Sequence, residues 1–270
     1  MELFHRELGS GKPLVILHGL YGSSDNWMSI GKLLSEKYRV ILVDQRNHGQ
    51  SPHSPNHSYA DMVADLHELF TKLNLTDAIL LGHSMGGKTA ALFAYSNPHL
   101  LKGLVIADII PFPISGSWHL DTELISMHKR IMSGLLSLNI ESAKSRDDLD
   151  AALSVSVSNR MVRQFLLKSV KRNEDGSFVW MLNVEVLSQS MEKLMAPSLP
   201  QSVDEPIAVK TQLIKGEKSS YMSSEGMQGV ERYFSNYRLD VIRNAGHWLH
   251  AENPKGFIDA LSSFLESLND

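Results

Sequence analysis

Ala78-Ile79-Leu80-Leu81-Gly82-His83-Ser84-Met85-Gly86-Gly87 is the stretch that decides the reading of this chain. Four apolar residues run straight into Gly82-His83-Ser84-Met85-Gly86, which fits G-x-S-x-G. A helical pattern follows at once. A serine held between a strand end and a helix start has to sit on a very tight turn. Gly82 and Gly86 leave room for such a turn, and the serine is pushed out at its tip. The free N–H groups at the start of the following helix then face any negative charge that develops there. Gly87, Ala90, Ala91 and Ala94 keep that helix close to the strand layer. Ser84 is therefore the candidate nucleophile.

Working outward, the same kind of apolar run recurs. Leu14-Val15-Ile16-Leu17 ends at His18-Gly19, Val40-Ile41-Leu42-Val43 ends at Asp44, and Leu104-Val105-Ile106-Ala107 ends at Asp108. Runs that are apolar at every position suit strands buried on both faces of a parallel sheet. Between them lie helical stripes such as Met62, Leu66, Leu69, Phe70 and Leu73, opened by a capping-box spacing at Ser58 and Asp61. Strand, helix, strand in this order predicts right-handed crossovers and a doubly wound, mostly parallel α/β sheet.

The alternation stops after Pro111-Phe112-Pro113. From about residue 121 to 195 the pattern is mostly helical, with one stripe through Leu124, Ile125, His128, Ile131, Met132 and Leu135. Phe178-Val179-Trp180-Met181-Leu182 could instead be extended. Strands return near Thr211-Gln212-Leu213-Ile214 and Leu239-Asp240-Val241-Ile242, and a last helix opens at Asn253-Pro254. The expected organisation is a core over 1–112 and 203–270, with a helical cap inserted over 113–202.

A serine nucleophile needs a base. In this scaffold order the base follows the last strand, and His247 stands there in Asn244-Ala245-Gly246-His247-Trp248. His250 is its nearest competitor, three residues on. The turn His18-Gly19-Leu20-Tyr21-Gly22 can aim the backbone N–H of Leu20 at an acyl oxygen, with the N–H of Met85 as second donor. His18 itself reads as structural. The acid is less direct, because the usual slot after the strand at 211–214 holds Glu217-Lys218-Ser219-Ser220 and no aspartate. Glu217 and Asp108 are the two candidates. Burial favours Asp108, since a carboxylate ending a wholly apolar strand is costly unless a partner such as an imidazole satisfies it. Tyr21, Trp118, Trp180, Met181 and Trp248 are candidate pocket linings, with Met191 beside them.

Composition excludes other classes. The chain has 270 residues, 43% of them hydrophobic, and a net charge of -4, which does not supply the basic face of a nucleic-acid binder. Cysteine is absent, so thiolate catalysis, disulfides and cysteine-bound zinc are excluded. His53 and His57 are four apart, but Pro52 and Pro55 predict a loop there, so no metal and no cofactor are expected. No run approaches a membrane span and the N-terminus does not read as a secretory signal; a cytoplasmic monomer or small homo-oligomer acting on a small molecule is the expectation.

The strings HGLYGSSDNW (18–27), VDQRNHGQSPHS (43–54), GHSMGGKTA (82–90), ADIIP (107–111) and GHWLHAENP (246–254) resemble those of the YbfF-like bacterial esterases, within the α/β-hydrolase superfamily. QFLLKSV (164–170) and FVWMLNVEVL (178–187) are similar too. The likeness covers nearly the whole core and part of the cap. GHSMGG is widespread; RNHG-x-SPH with GHW-x-HAE is far more specific. The resemblance implies activity on short acyl esters and acyl-CoA-type thioesters. It also implies a Ser84, Asp108 and His247 triad, with Ser219 as a fourth member near the histidine. Rival readings on the same scaffold are a lyase, a C–C hydrolase, a cofactor-free haloperoxidase, or a ligand receptor that signals by cap movement. Epoxide and haloalkane hydrolases would need an aspartate where Ser84 stands.

Overall fold

The computed structural model describes residues 1–114 and 122–269. The chain opens with β1 (His5–Leu8), β2 (Lys12–Leu17), α1 (Met28–Leu34), β3 (Tyr38–Val43) and α2 (Tyr59–Lys72). It continues through β4 (Ala78–His83), α3 (Met85–Ser96) and β5 (Leu101–Ala107). An insertion follows: α4 (Thr122–Ser137), α5 (Arg146–Leu153), α6 (Arg160–Leu167), the hairpin β6 (Val170–Arg172) and β7 (Phe178–Trp180), then α7 (Val184–Gln189) and α8 (Met191–Met195). The alternating pattern resumes with β8 (Thr211–Gly216), β9 (Tyr237–Ile242), α9 (Leu249–Glu252) and α10 (Pro254–Ser267).

Seven strands form one sheet in the order β1-β3-β2-β4-β5-β8-β9, parallel throughout except for β1. The apolar runs work because the pleat sends alternate residues to opposite faces. Val15, Leu17, Ile41, Val43, Leu80, Leu104 and Ile106 pack against α2 and α3 through Leu66, Phe70, Ala90 and Phe93. Leu14, Ile16, Val40, Leu42, Ile79, Leu81 and Val105 pack on the other face against α1 and α10 through Ile30, Leu34, Phe257 and Phe264. Both faces are covered, so the fold is the expected α/β type.

All four apolar runs are strands, and so are the two later segments near 211–214 and 239–242. The 178–182 segment is extended as far as Trp180, and pairs with Val170–Arg172. β1 was not anticipated: His-Arg-Glu-Leu is a polar sequence, and it is held as an antiparallel edge on β3. The insertion has its own apolar cluster, with Ile131, Leu135, Leu153, Leu166 and Leu187 at its centre. That cluster continues onto Leu20, Tyr21, Tyr59, Met62 and Met85 of the remainder of the chain. Lys88 adds a tie: its buried ammonium donates to the carbonyls of Leu194, Met195 and Ala196, which cap the end of α8. Among the described residues, no helix is long and apolar enough to cross a membrane.

Phe264→Ala should cost about 3–5 kcal/mol in urea unfolding, because a fully buried ring is removed from between sheet and helix. Leu239→Ala, on the 43% exposed outer side of β9, should stay within about 0.5 kcal/mol of wild type.

Candidate active site

Ser84 follows the last residue of β4 and caps α3, with φ 53° and ψ -118°. An L-residue reaches that conformation only under strain that the surroundings hold in place. The close crossing explains the small neighbours. A Cβ on Gly82 would lie 2.1 Å from the Gly86 carbonyl oxygen, and one on Gly86 would lie 2.5 Å from the Leu17 oxygen. Met85 is the first residue of α3, so its N–H has no acceptor within the helix.

Beside it, the 19–22 loop turns back through Gly22 N–H to Gly19 O, with Tyr21 at φ 67°. His18 locks this loop. Its Nε2 accepts from Gln45 N–H at 3.0 Å, which leaves Nδ1–H to donate to Gly19 O at 2.8 Å. His48 does the same one layer out, accepting from Tyr21 N–H and donating to Arg46 O. Asp44 accepts from the N–H groups of Ser24 and Gln50, and Arg46 clasps Asp65 at 2.6 and 2.8 Å. The charged stretch after β3 thus fixes loops.

Asp108 is the residue after β5. It too has a positive φ, 53°, and it is wholly buried. Its Oδ1 accepts from Gly216 N–H at 2.9 Å. Its Oδ2 accepts from the Ser219 hydroxyl and from His247 Nδ1 at 2.8 Å. Since Nδ1 carries the proton toward the carboxylate, Nε2 is left with its lone pair free to take another. Glu217 lies elsewhere: it is exposed and accepts from Asn244 N–H at 2.7 Å, pinning the loop that carries His247. Tyr221 lies flat on the His247 ring, centroids 3.6 Å apart and planes 13° off parallel. His83 Nε2 meets the His247 carbonyl oxygen at 2.8 Å.

His247 and Ser84 both line one cavity at the carboxyl edge of the sheet. Among the described residues no hydrogen bond joins them; such contacts are commonly long before substrate binds. His250, the competing histidine, is stacked on Trp27 with centroids 4.1 Å apart, and burial pushes its pKa down to about 3. Leu20, Tyr21 and Trp248 line the space around Ser84. Trp180 and Met181 do not line that space. The hairpin packs Trp180 against the insertion's own cluster, and the Met181 N–H bonds to Ser169 O. Met191 is likewise buried in that cluster. Trp118 lies outside the described residues. No three metal-ligating side chains converge among the described residues. Sequence reasoning missed Tyr221 and the contacts of His128, whose ring nitrogens meet Tyr21 Oη at 2.9 Å and Tyr221 Oη at 3.1 Å. The helical stripe on α4 had already put His128 on the buried face.

Residues 12–130 match the family model of the alpha/beta hydrolase fold. The sn-1-specific diacylglycerol lipase ABHD11 of Mus musculus is 37% identical over 254 residues, covering 93% of this chain and 80% of that protein. The chain belongs to the α/β-hydrolase fold family. Esterase YbfF of Escherichia coli K12 is 32% identical over 257 residues, covering 95% and 94%. A solved structure titled marine microorganism esterase superposes with a TM-score of 0.90 at 40% identity, covering 97% of this chain and 99% of that one. This α/β-hydrolase is thus an enzyme of the carboxylic ester hydrolase kind, as these relatives' names describe.

The buried imidazoles make this hydrolase acid-sensitive. Burial lowers the pKa of His18 and His128 to about 4 and of His48, His57 and His250 to about 3. Folded, these groups refuse protons that the unfolded chain binds below about pH 6.5. Stability is therefore intact above that pH and falls as pH drops toward 3–4, by roughly 1 kcal/mol per pH unit for each group. Urea midpoints measured between pH 7 and 4.5 should decline throughout, with proton uptake on unfolding.

Proposed function

We propose that this protein is a serine esterase that hydrolyses short-chain acyl esters through a Ser84–His247–Asp108 triad and an acyl-enzyme. The observation that carries the reading is the buried Asp108 carboxylate bonded to His247 Nδ1, with Ser84 on its strained turn lining the same cavity as that imidazole.

Ser84 Oγ attacks the ester carbonyl as His247 Nε2 takes its proton. The N–H groups of Leu20 and Met85 hold the oxyanion. Collapse breaks the acyl carbon–oxygen bond, and His247 returns the proton to the departing alkoxide. Water then repeats the cycle on the acyl-enzyme and releases the acid. Asp108 fixes the tautomer of His247 and stabilises the imidazolium. Ser219 donates to the same carboxylate and helps hold it in orientation. The same steps serve thioesters, with a thiolate leaving. Residues 113–202 act as a cap over this site and 1–112 with 203–270 as the core; the shared apolar cluster reaching Leu20, Tyr21 and Met85 supports that division.

Ser84→Ala should lower turnover of a p-nitrophenyl short-chain ester by about 10⁴-fold or more. Asp108→Asn should lose on the order of 10³–10⁴-fold while Glu217→Gln stays near wild type. Ser219→Ala should cost on the order of tenfold, as one of three bonds to the carboxylate is lost. Wild-type rates in Ser84→Ala would end the reading.

A further inference from the structure

Two cavities open on Ser84. The first, about 310 Å³, is walled by Ile109, Ile110, Phe112, Ile125, Leu194 and Met195. The second, about 290 Å³, is walled by Trp27, Met127, Val162, Phe165, His247 and Trp248. Four described residues belong to both linings: Leu20, Ser84, His128 and Tyr221. Ser84 and Leu20 carry the nucleophile and an oxyanion donor. The other two belong to a hydrogen-bonded row, Tyr21 Oη to His128 Nδ1 at 2.9 Å and His128 Nε2 to Tyr221 Oη at 3.1 Å. His128 comes from the insertion, Tyr21 from the loop after β2 and Tyr221 from the loop after β8. A neutral imidazole fits this place, because it donates at one nitrogen and accepts at the other.

The proton decides which arm of an ester enters which cavity. The departing oxygen must take its proton from His247. His247 lines the second cavity and is absent from the lining of the first. The alcohol arm therefore lies in the second cavity and the acyl arm in the first. Among the described residues, the second cavity has no lysine or arginine in its wall, so no fixed cation there offsets the phosphates of a coenzyme A leaving group. Lys88 borders the first cavity, but its ammonium is spent on the three carbonyls at the end of α8.

We propose that the Tyr21–His128–Tyr221 row divides the space over Ser84 into an acyl chamber and an alkoxy chamber, and that the preferred substrates are oxygen esters with an apolar chain on both sides of the carboxyl group. The inference rests on the esterase reading and narrows its substrates. Both chambers are lined mostly by apolar surface and are of nearly equal size, with Lys88 and Glu225 at the border of the first, so burial of either chain contributes to binding at the rate of its buried apolar area.

The test uses the full chain and two ester series followed by pH-stat. One series lengthens the acyl chain on ethanol, from acetyl to octanoyl. The other lengthens the alcohol on acetate, from ethyl to octyl. In wild type kcat/KM should rise with length in both. Ile125→Trp fills the first cavity and should lower kcat/KM for ethyl octanoate by about tenfold or more, leaving octyl acetate within about twofold. Val162→Trp should do the reverse. In a His128→Ala background the chambers join, and each tryptophan should lose its one-sided effect. Hexanoyl-CoA should be a poorer substrate than butyl hexanoate by about tenfold or more. Both tryptophans depressing one series, an exchanged pattern, or equal use of hexanoyl-CoA would overturn the proposal. If His128→Ala does not fold, the two tryptophan variants still decide the assignment of the chambers. No turnover of any ester by wild type would sink the esterase reading itself; normal turnover with the wrong pattern sinks the chambers alone.

Discussion

A carboxylate with no exposed surface sits at the end of β5, and much of the molecule's upper rim is arranged to satisfy it. Removing a charge from water costs several kcal/mol unless strong donors replace the lost hydration. Asp108 finds them in three places: Gly216 N–H at the end of β8, the Ser219 hydroxyl in the loop beyond it, and His247 after β9. One side chain thereby ties three strand ends together. It also fixes which nitrogen of His247 carries the proton. The positive φ of Asp108 belongs to the same constraint, since it bends the chain out of the strand as β5 ends.

The turn that carries Ser84 obeys a second constraint, of space. Backbone oxygens of Leu17, His18 and Gly86 occupy the places where Cβ atoms of residues 82 and 86 would go. The glycines are therefore sterically required, and this is why a five-residue motif carries so much information. The turn brings Ser84 to the carboxyl edge where Asp108 and His247 already stand. Loops packed with neutral histidines hold that edge: His18 and His48 act as paired donors and acceptors for backbone groups. Imidazole suits this work because each ring offers one donor and one acceptor without a buried charge.

What was legible in the sequence was local. Residues apolar on both faces of a strand, capping boxes and G-x-S-x-G all depend on neighbours within a few positions, and each gave the right element. The choice of Asp108 over Glu217 rested on the cost of burying a charge, which the unbroken apolar run of β5 makes visible in the residues themselves. Tyr221 was not legible, and of His128 only its place on a buried helical stripe was. Neither has a local motif, and they meet only because the insertion folds back over the core. Trp180 misled for the converse reason: a large apolar residue in an insertion suits a pocket wall, yet the β6–β7 hairpin packs it against the insertion's own core. β1 was invisible because its polar residues are tolerated on an exposed antiparallel edge.

The most direct measurement of the account is covalent labelling with a fluorophosphonate, followed by intact mass and peptide mapping. A serine activated by His247 and Asp108 should take up one equivalent, located at Ser84, with labelling greatly slowed when His247 is replaced by alanine. An unlabelled protein, or an adduct carried by another residue, would contradict it.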